Sequence, residues 1–338
     1  MSLLLHRFFA AGKGPGGPSG FYIRIDPEAQ YYNGDFQGVR PAYGGGWIVT
    51  GYRGNGSRFI ANVSNTGDVS NYKHDSGNWV VNIGSDSGHA QFASPDNRLI
   101  SPTQTNAGHV GFTSRTSISY IDLPLVHQQS PSILGVDDAT NQVYTTFSTG
   151  GGYQPTINRV ISRNASTGAA TWQKEHTAGA GGWFTPLTSL VRVGDTSNLW
   201  VQISRTTPGF AVFNKSTGAN VAAWELSNVA MGGFMNSFIQ DTSGNMYVSG
   251  LNGHIARINT NNTTAWAKVY ALSSQNFGYI HICFYNGFIY GTGSQHPGGN
   301  YLFKLDPATG NIVWFINMTN AYYGIRGLSA SADGIAVV

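Results

Sequence analysis

The chain has 338 residues, 45 of them glycine, and only 10% are charged. Globular proteins average about 7% glycine and about 25% charged residues, so long solvated helices and charged tails are excluded. The net charge of +3 is spread without a Lys/Arg cluster, which makes nucleic acid a poor partner, while 41% hydrophobic and 13% aromatic content suffices for a large buried core.

The first element is an apolar run, Leu3, Leu4, Leu5, Phe8 and Phe9, interrupted by His6 and Arg7. It is too short and too broken for a signal peptide or a membrane-spanning helix, so it is predicted to pack onto the domain or to act as a docking arm for a neighbouring protein, with no membrane insertion. Gly12-Lys13-Gly14-Pro15-Gly16-Gly17-Pro18 follows. Its prolines, with no helical pattern after them, remove the strand-to-helix context of a phosphate loop and leave a linker. Residues 1–20 are therefore an arm and linker, and 21–338 a single domain.

Within that domain a polar turn leading into an apolar or aromatic run recurs at Gly46-Trp47-Ile48-Val49, Asn97-Arg98-Leu99-Ile100, Asn141-Gln142-Val143-Tyr144 and Asn198-Leu199-Trp200-Val201. It continues at Asn245-Met246-Tyr247-Val248, Gly287-Phe288-Ile289-Tyr290 and Gly334-Ile335-Ala336-Val337. The spacing averages roughly 48 residues over seven copies. After most copies comes an alternating strand, a Thr-Gly or Asn-rich turn, and a strand bearing an aromatic residue. Thr66-Gly67, Thr167-Gly168, Thr217-Gly218, Asn261-Asn262 and Thr309-Gly310 are the turns, and Tyr72, Trp172, Trp224, Trp266 and Trp314 the aromatics. Two hairpins per copy give four strands.

Seven four-stranded units that cannot each bury both faces pack radially, so the predicted fold is all-β, a seven-bladed β-propeller of four-stranded antiparallel blades. The last copy supplies only a first and a second strand, within 324–338. Residues 21–26 and the segment around Tyr31 and Tyr32 supply a third and a fourth, so the N- and C-terminal strands are expected to close the ring in one blade. Cys283, the single cysteine, lies in the apolar run 280–285 and is expected to be core.

Leu302-Phe303-Lys304-Leu305-Asp306-Pro307-Ala308-Thr309-Gly310-Asn311-Ile312-Val313-Trp314 resembles the repeat of PQQ-like (WD40-like) β-propellers, in which a strand ending in Leu-Asp, a Thr-Gly turn and a Trp recur in each blade. Residues 164–172 and 214–224 are looser matches, and the copy around Ser117–Asp122 lacks both Gly and Trp. The resemblance implies a fold rather than a chemistry, because such propellers serve as enzymes, scaffolds and adhesins. Its quinone-dependent members imply a vicinal disulfide against the cofactor, which one cysteine cannot form, so no cofactor is expected.

Catalytic patterns are missing from the sequence. There is no His-Glu-x-x-His run and no Gly-x-Ser-x-Gly elbow; Gly84-Ser85-Asp86-Ser87-Gly88 has Asp where the nucleophile would stand. Asp137-Asp138 reads as turn capping, with Asp195 and Asp241 in equivalent places. A glycine recurs near the entry to most first strands, at Gly38, Gly88, Gly182, Gly233, Gly278 and Gly324. If first strands line the axis, Arg40, His89, Trp183, Asn236, Tyr279, His281 and Arg326 surround one mouth of the channel. Aromatic faces beside hydrogen-bond donors suit a sugar or a peptide loop, and equally suit packing between blades and hydration of the channel.

Few charges with abundant Gly, Ser, Thr, Asn, Tyr and Trp resemble the composition of bacteriophage tail, fibre and decoration proteins. The expected function is a non-enzymatic structural or binding propeller of a virion, assembled in the host cytoplasm. Its expected partners are other virion proteins through the arm and a host-surface glycan or protein at the mouth. A carbohydrate-active enzyme at the mouth and an envelope assembly scaffold are the alternatives.

Overall fold

A computed structural model describes strands from Asp35 to Val337 and, in full, residues 209–225, 235–250, 252–272, 280–295 and 299–318. The arm, the linker and the strands expected at 21–32 lie outside the described residues.

The strands gather into successive antiparallel sheets in chain order. The first contains β1 (Asp35–Pro41), β2 (Trp47–Tyr52), β3 (Arg58–Val63) and β4 (Val69–Asp75). In the second, β5 (Trp79–Val80) and β6 (Phe92–Ala93) both pair with β7 (Arg98–Gln104), followed by β8 (His109–Thr113) and β9 (Ile118–Asp122). The third runs through β10 (Ser132–Asp137), β11 (Gln142–Thr149), β12 (Ile157–Asn164) and β13 (Ala170–Thr177). The fourth has β14 (Ser189–Arg192), β15 (Asp195–Ile203), β16 (Gly209–Asn214) and β17 (Asn220–Glu225). The fifth has β18 (Met235–Gln240), β19 (Met246–Gly250), β20 (His254–Ile258) and β21 (Thr264–Val269).

A small hairpin, β22 (Ala271–Leu272) with β23 (Gln275–Asn276), precedes the sixth sheet. That sheet contains β24 (Ile280–Tyr285), β25 (Phe288–Gln295), β26 (Gly299–Leu305) and β27 (Ile312–Met318). Among the described residues the last sheet consists of β28 (Leu328–Ser331) and β29 (Gly334–Val337). The repeated turns read from the sequence open the second strand of their sheets, except that Asn198 lies inside β15, which already begins at Asp195; Ile118–Asp122 forms a fourth strand despite lacking the Thr-Gly and Trp signals.

Among the described residues, tight connections follow from the residues that form them. Asn286 and Gly287, at φ 48° and 77°, form the two-residue loop between β24 and β25; both central residues of such a turn need positive φ, which Asn tolerates and Gly adopts freely. Burial then grades across the sheets. β16 is buried but for its last residue and β19 throughout, whereas β21 alternates between exposed and half-buried positions. The outermost strands therefore face water on one side.

The core lies between sheets rather than within them. Tyr144, Val160 and Trp172 of the third sheet pack on Leu199, Val201, Ala211 and Phe213 of the fourth. Trp200, Phe210 and Val212 pack on Phe238, Met246 and Val248 of the fifth, with Phe210 and Phe238 ring centroids 4.6 Å apart. Ile239, Tyr247 and Ile255 pack on Ile280, Ile282 and Phe303 of the sixth. Cys283, Tyr290 and Leu302 pack on Leu328, Ile335 and Val337 of the last, which makes Cys283 the buried core thiol its apolar neighbours predict. β28 lies beside β24 on one side and β1 on the other, so the last sheet adjoins the first.

Candidate functional site

First strands hold three of the residues expected at a channel mouth. Arg40 is in β1 opposite Ile48, Asn236 in β18, and His281 in β24 opposite Thr292. His89, Trp183, Tyr279 and Arg326 lie outside the described residues, as do Leu3, Leu4, Leu5, Phe8 and Phe9. The structure thus places three of the seven on first strands of three different sheets. Gly38 stands inside β1 rather than at its entry, directly after a register shift.

Register irregularities recur on these strands. Gln37 in β1, Leu134 in β10 and Asn236 in β18 are each one residue more than the partner strand opposes. A bulge of this kind locally twists the strand and re-aims the side chain at that position, which is why bulges collect near binding sites and sheet rims. β24 is regular, so its side chains alternate: Ile280, Ile282 and Phe284 pack toward the fifth sheet, and Cys283 and Tyr285 toward the last. His281 shares the face of Cys283 and is half-buried. Two buried polar groups lie nearby: Ser249 donates its hydroxyl to the Ile280 carbonyl at 2.7 Å, and the Thr292 hydroxyl has no partner among the described residues.

The best-defined polar geometry belongs to the turns between third and fourth strands. Asn164, Asn214 and Asp306 each begin such a turn, and their side-chain oxygens accept the backbone N–H of Thr167, Thr217 and Thr309 at 2.9, 3.0 and 2.9 Å. The hydroxyls of these threonines in turn accept the N–H of Ala169, Ala219 and Asn311. The short Asx side chain thus replaces a backbone acceptor, and Gly218 and Gly310 supply the left-handed residue at φ 68° and 67°. Asp306 gains more from this than a neutral cap. The Thr309 N–H favours its charged form and holds its carboxyl below the usual range.

These turns are docking points between sheets. Trp172 donates its indole N–H to the Lys215 carbonyl at 2.6 Å, and Trp266 donates to the Pro307 carbonyl at 3.0 Å, each reaching the turn of the following sheet. Arg257 sends Nη1 to the same Pro307 carbonyl at 3.4 Å, and Tyr270 donates its hydroxyl to the Gly310 carbonyl at 2.5 Å. The rings lie over the turn glycines, so that a Cβ on Gly218 would come within 2.5 Å of Trp172. Burial pushes the Tyr270 hydroxyl well above the ordinary tyrosine range, and burial with the nearby Asp241 carboxylate does the same for Tyr247. Asp241 caps its own turn through the N–H groups of Ser243 and Asn245 and accepts the Tyr247 hydroxyl at 2.9 Å. The sequence marks these Trp positions, but not that they reach the next sheet.

Among the described residues no group of three or more His, Cys, Asp or Glu side chains gathers as a metal site would require, and no helix is long and apolar enough to cross a membrane. No family model matches the chain, and no curated protein matches it. Among solved structures, the chain is similar to the β-propeller domain of Cps50 (Swd1) from Myceliophteria thermophila. The TM-score is 0.57 at 9% identity, covering 90% of this chain and 99% of that domain. Other solved chains match as well. This likeness defines the class of fold: all-β, built of antiparallel sheets arranged as in a β-propeller.

Proposed function

We propose that the chain is a non-enzymatic binding propeller that assembles with other proteins, in which seven blades form a ring and residues 21–32 complete the last. The observation that carries this reading is the position of β28 against both β24 and β1, which returns the final sheet to the first and makes a rigid frame for the connecting loops. The Thr-Gly turns that seat the preceding tryptophans favour the PQQ-like branch of propellers. In the turns at Asn164, Asn214, Asp241 and Asp306, side-chain hydrogen bonds cap the local backbone. Recognition then falls to the connecting loops, the channel mouth and the exposed outer strands, where Val313 and Phe315 are half-exposed.

Within that reading the protein is a virion component, supported by its scarcity of charge and its abundance of Gly, Ser, Thr and Asn. Leu3 to Phe9 anchor it to a neighbouring virion protein, and Arg40, Asn236 and His281, with the other mouth residues, face a host glycan or protein. Particles assembled in the presence of the full chain or of a chain lacking residues 1–18 test this. Full-length protein should co-purify with the particle and the truncated protein should stay in the soluble fraction while still folded. Equal incorporation of both, or absence of both from particles, overturns the proposal.

A further inference from the structure

We propose that β27 is a dimer edge: the outer strand of the sixth sheet pairs antiparallel with the same strand of a second copy, so that the two molecules share one continuous sheet. The inference goes beyond the binding role proposed above and does not depend on the virion assignment. Among the described residues β27 pairs with β26 alone. Alternate residues of such a strand direct their N–H and C=O groups away from the neighbour they already have, which leaves a template for a further strand.

Charge normally blunts an edge of this kind, and the other outer strands follow that rule. β4 carries Lys73, β9 Asp122, β13 Lys174, β17 Glu225 and β21 Lys268. β27 reads Ile-Val-Trp-Phe-Ile-Asn-Met, with no charge, no proline and no glycine. Exposure divides the strands in the same way. Val69, Val221 and Val269 are single exposed apolar side chains on β4, β17 and β21, whereas β27 exposes Ile312, Val313 and Phe315 together, at 46%, 50% and 53%. The bulge at Val313 is no safeguard peculiar to this edge, since β13, β17 and β21 are bulged at the corresponding place. Beyond it, residues 314–318 pair regularly with β26 and leave that run for a new ladder. An uncharged apolar edge left in water invites aggregation, so this strand needs a cover.

Neutrality selects the occupant. A two-fold interface sets a strand against its own copy, so a lone charge such as Glu225 or Lys268 would meet its like, whereas β27 brings together only uncharged side chains. It also offers no charge pattern by which to choose a foreign strand. An axis near Ile316, the middle of the regular run, places the two Phe315 side chains on one face, diagonal to one another and within reach across the pair.

The test follows the full chain by sedimentation velocity over rising concentration, with hydrogen exchange read on peptides covering 312–318. Wild type should pass from monomer to dimer, and amides in 314–318 should gain protection as it does. Phe315→Lys should raise the dimer dissociation constant about ten-fold or more, because a two-fold interface counts each change twice. Phe315→Glu should do the same, and an equimolar mixture of the two variants should recover the dimer, which also shows that both are folded. Val221→Lys, at an equally exposed position on β17, should leave dimerisation unchanged, as should removal of residues 1–18. A monomer at every concentration overturns the proposal, whether the 312–318 amides are open or already protected by another part of the same chain. A dimer indifferent to Phe315→Lys, or lost with residues 1–18, places the contact elsewhere and overturns it. Weakening by both charges without recovery in the mixture means that the two Phe315 side chains do not face each other, and overturns the pairing as well.

Discussion

Gly310 lies beneath the indole of Trp266, and a Cβ added there would meet the ring at 3.0 Å. The relationship links two residues 44 positions apart through one ring face and one left-handed backbone conformation, beside the hydrogen bond from the Trp266 indole to the Pro307 carbonyl. It turns a local turn signal into a joint between sheets, since the turn can only present its Pro307 carbonyl to Trp266 when glycine leaves room for the ring.

Two substitutions at Trp266 separate the hydrogen bond from the packing. Trp266→Phe keeps an aromatic ring against the buried cluster of Tyr247 and Phe303 and removes the donor, so unfolding should become easier by about 1 kcal/mol. Trp266→Ala also opens a cavity at the joint and should cost about 3 to 5 kcal/mol. Urea denaturation followed by far-UV circular dichroism reads both. Equal losses for the two variants would show that the ring face contributes nothing.

Gly291 makes a different close approach. It sits in β25 opposite Phe303 of β26, and a Cβ there would run into the Phe303 ring. That ring is stacked on Tyr270, with centroids 5.9 Å apart and planes 13° from parallel, so it cannot swing aside. Gly291→Ala should therefore destabilise by about 1 to 3 kcal/mol through overpacking. Gly291→Ala combined with Phe303→Leu should recover part of that loss in the same urea titration, because the smaller side chain vacates the space.

Much of this was legible in the sequence, and the reason is local. Alternation and turn chemistry are properties of a few consecutive residues, so Asn97-Arg98-Leu99-Ile100 and Gly287-Phe288-Ile289-Tyr290 announced their strands correctly. The recurring Trp was visible too, as a residue four positions past Gly168, Asn262 and Gly310. What it does was not, because the Lys215 and Pro307 carbonyls belong to the next sheet and their distance depends on how two sheets pack. The split of the second sheet's inner strand into β5 and β6 also escaped, as did the bulge at Asn236; both are decided by register against a partner strand. The placement of Arg40, Asn236 and His281 on first strands was readable, whereas the bulge at Asn236 was not.

Acid should loosen the turn at Asp306 in a particular way. The carboxyl is held below its unfolded value by the Thr309 N–H, so its contribution is present above the unfolded carboxylate pKa, about 3.9, and is lost as pH falls through the lower folded value. Asp306→Asn keeps a side-chain oxygen to accept the Ala308 and Thr309 N–H groups and removes the titration. Urea midpoints measured from pH 6 down to the acid limit should fall less steeply for the variant than for the wild type. Identical slopes would mean that the charge does not matter to the turn.

Gly287 and Gly310 together distinguish backbone strain from contact. Both are left-handed, at φ 77° and 67°, but a Cβ on Gly287 would meet nothing within 4 Å, whereas one on Gly310 would meet Trp266. Gly287→Ala therefore carries only the conformational penalty, about 1 kcal/mol, offset slightly by the stiffer unfolded chain. Gly310→Ala carries that penalty and the displacement of an indole whose N–H is bonded to Pro307, so it should cost about 1 to 2 kcal/mol more. In a Trp266→Leu background the excess at Gly310 should shrink toward the Gly287 value, since the obstructing ring is gone. An excess at Gly310 that survives the loss of the ring would place its origin in the turn backbone and not in the joint between sheets.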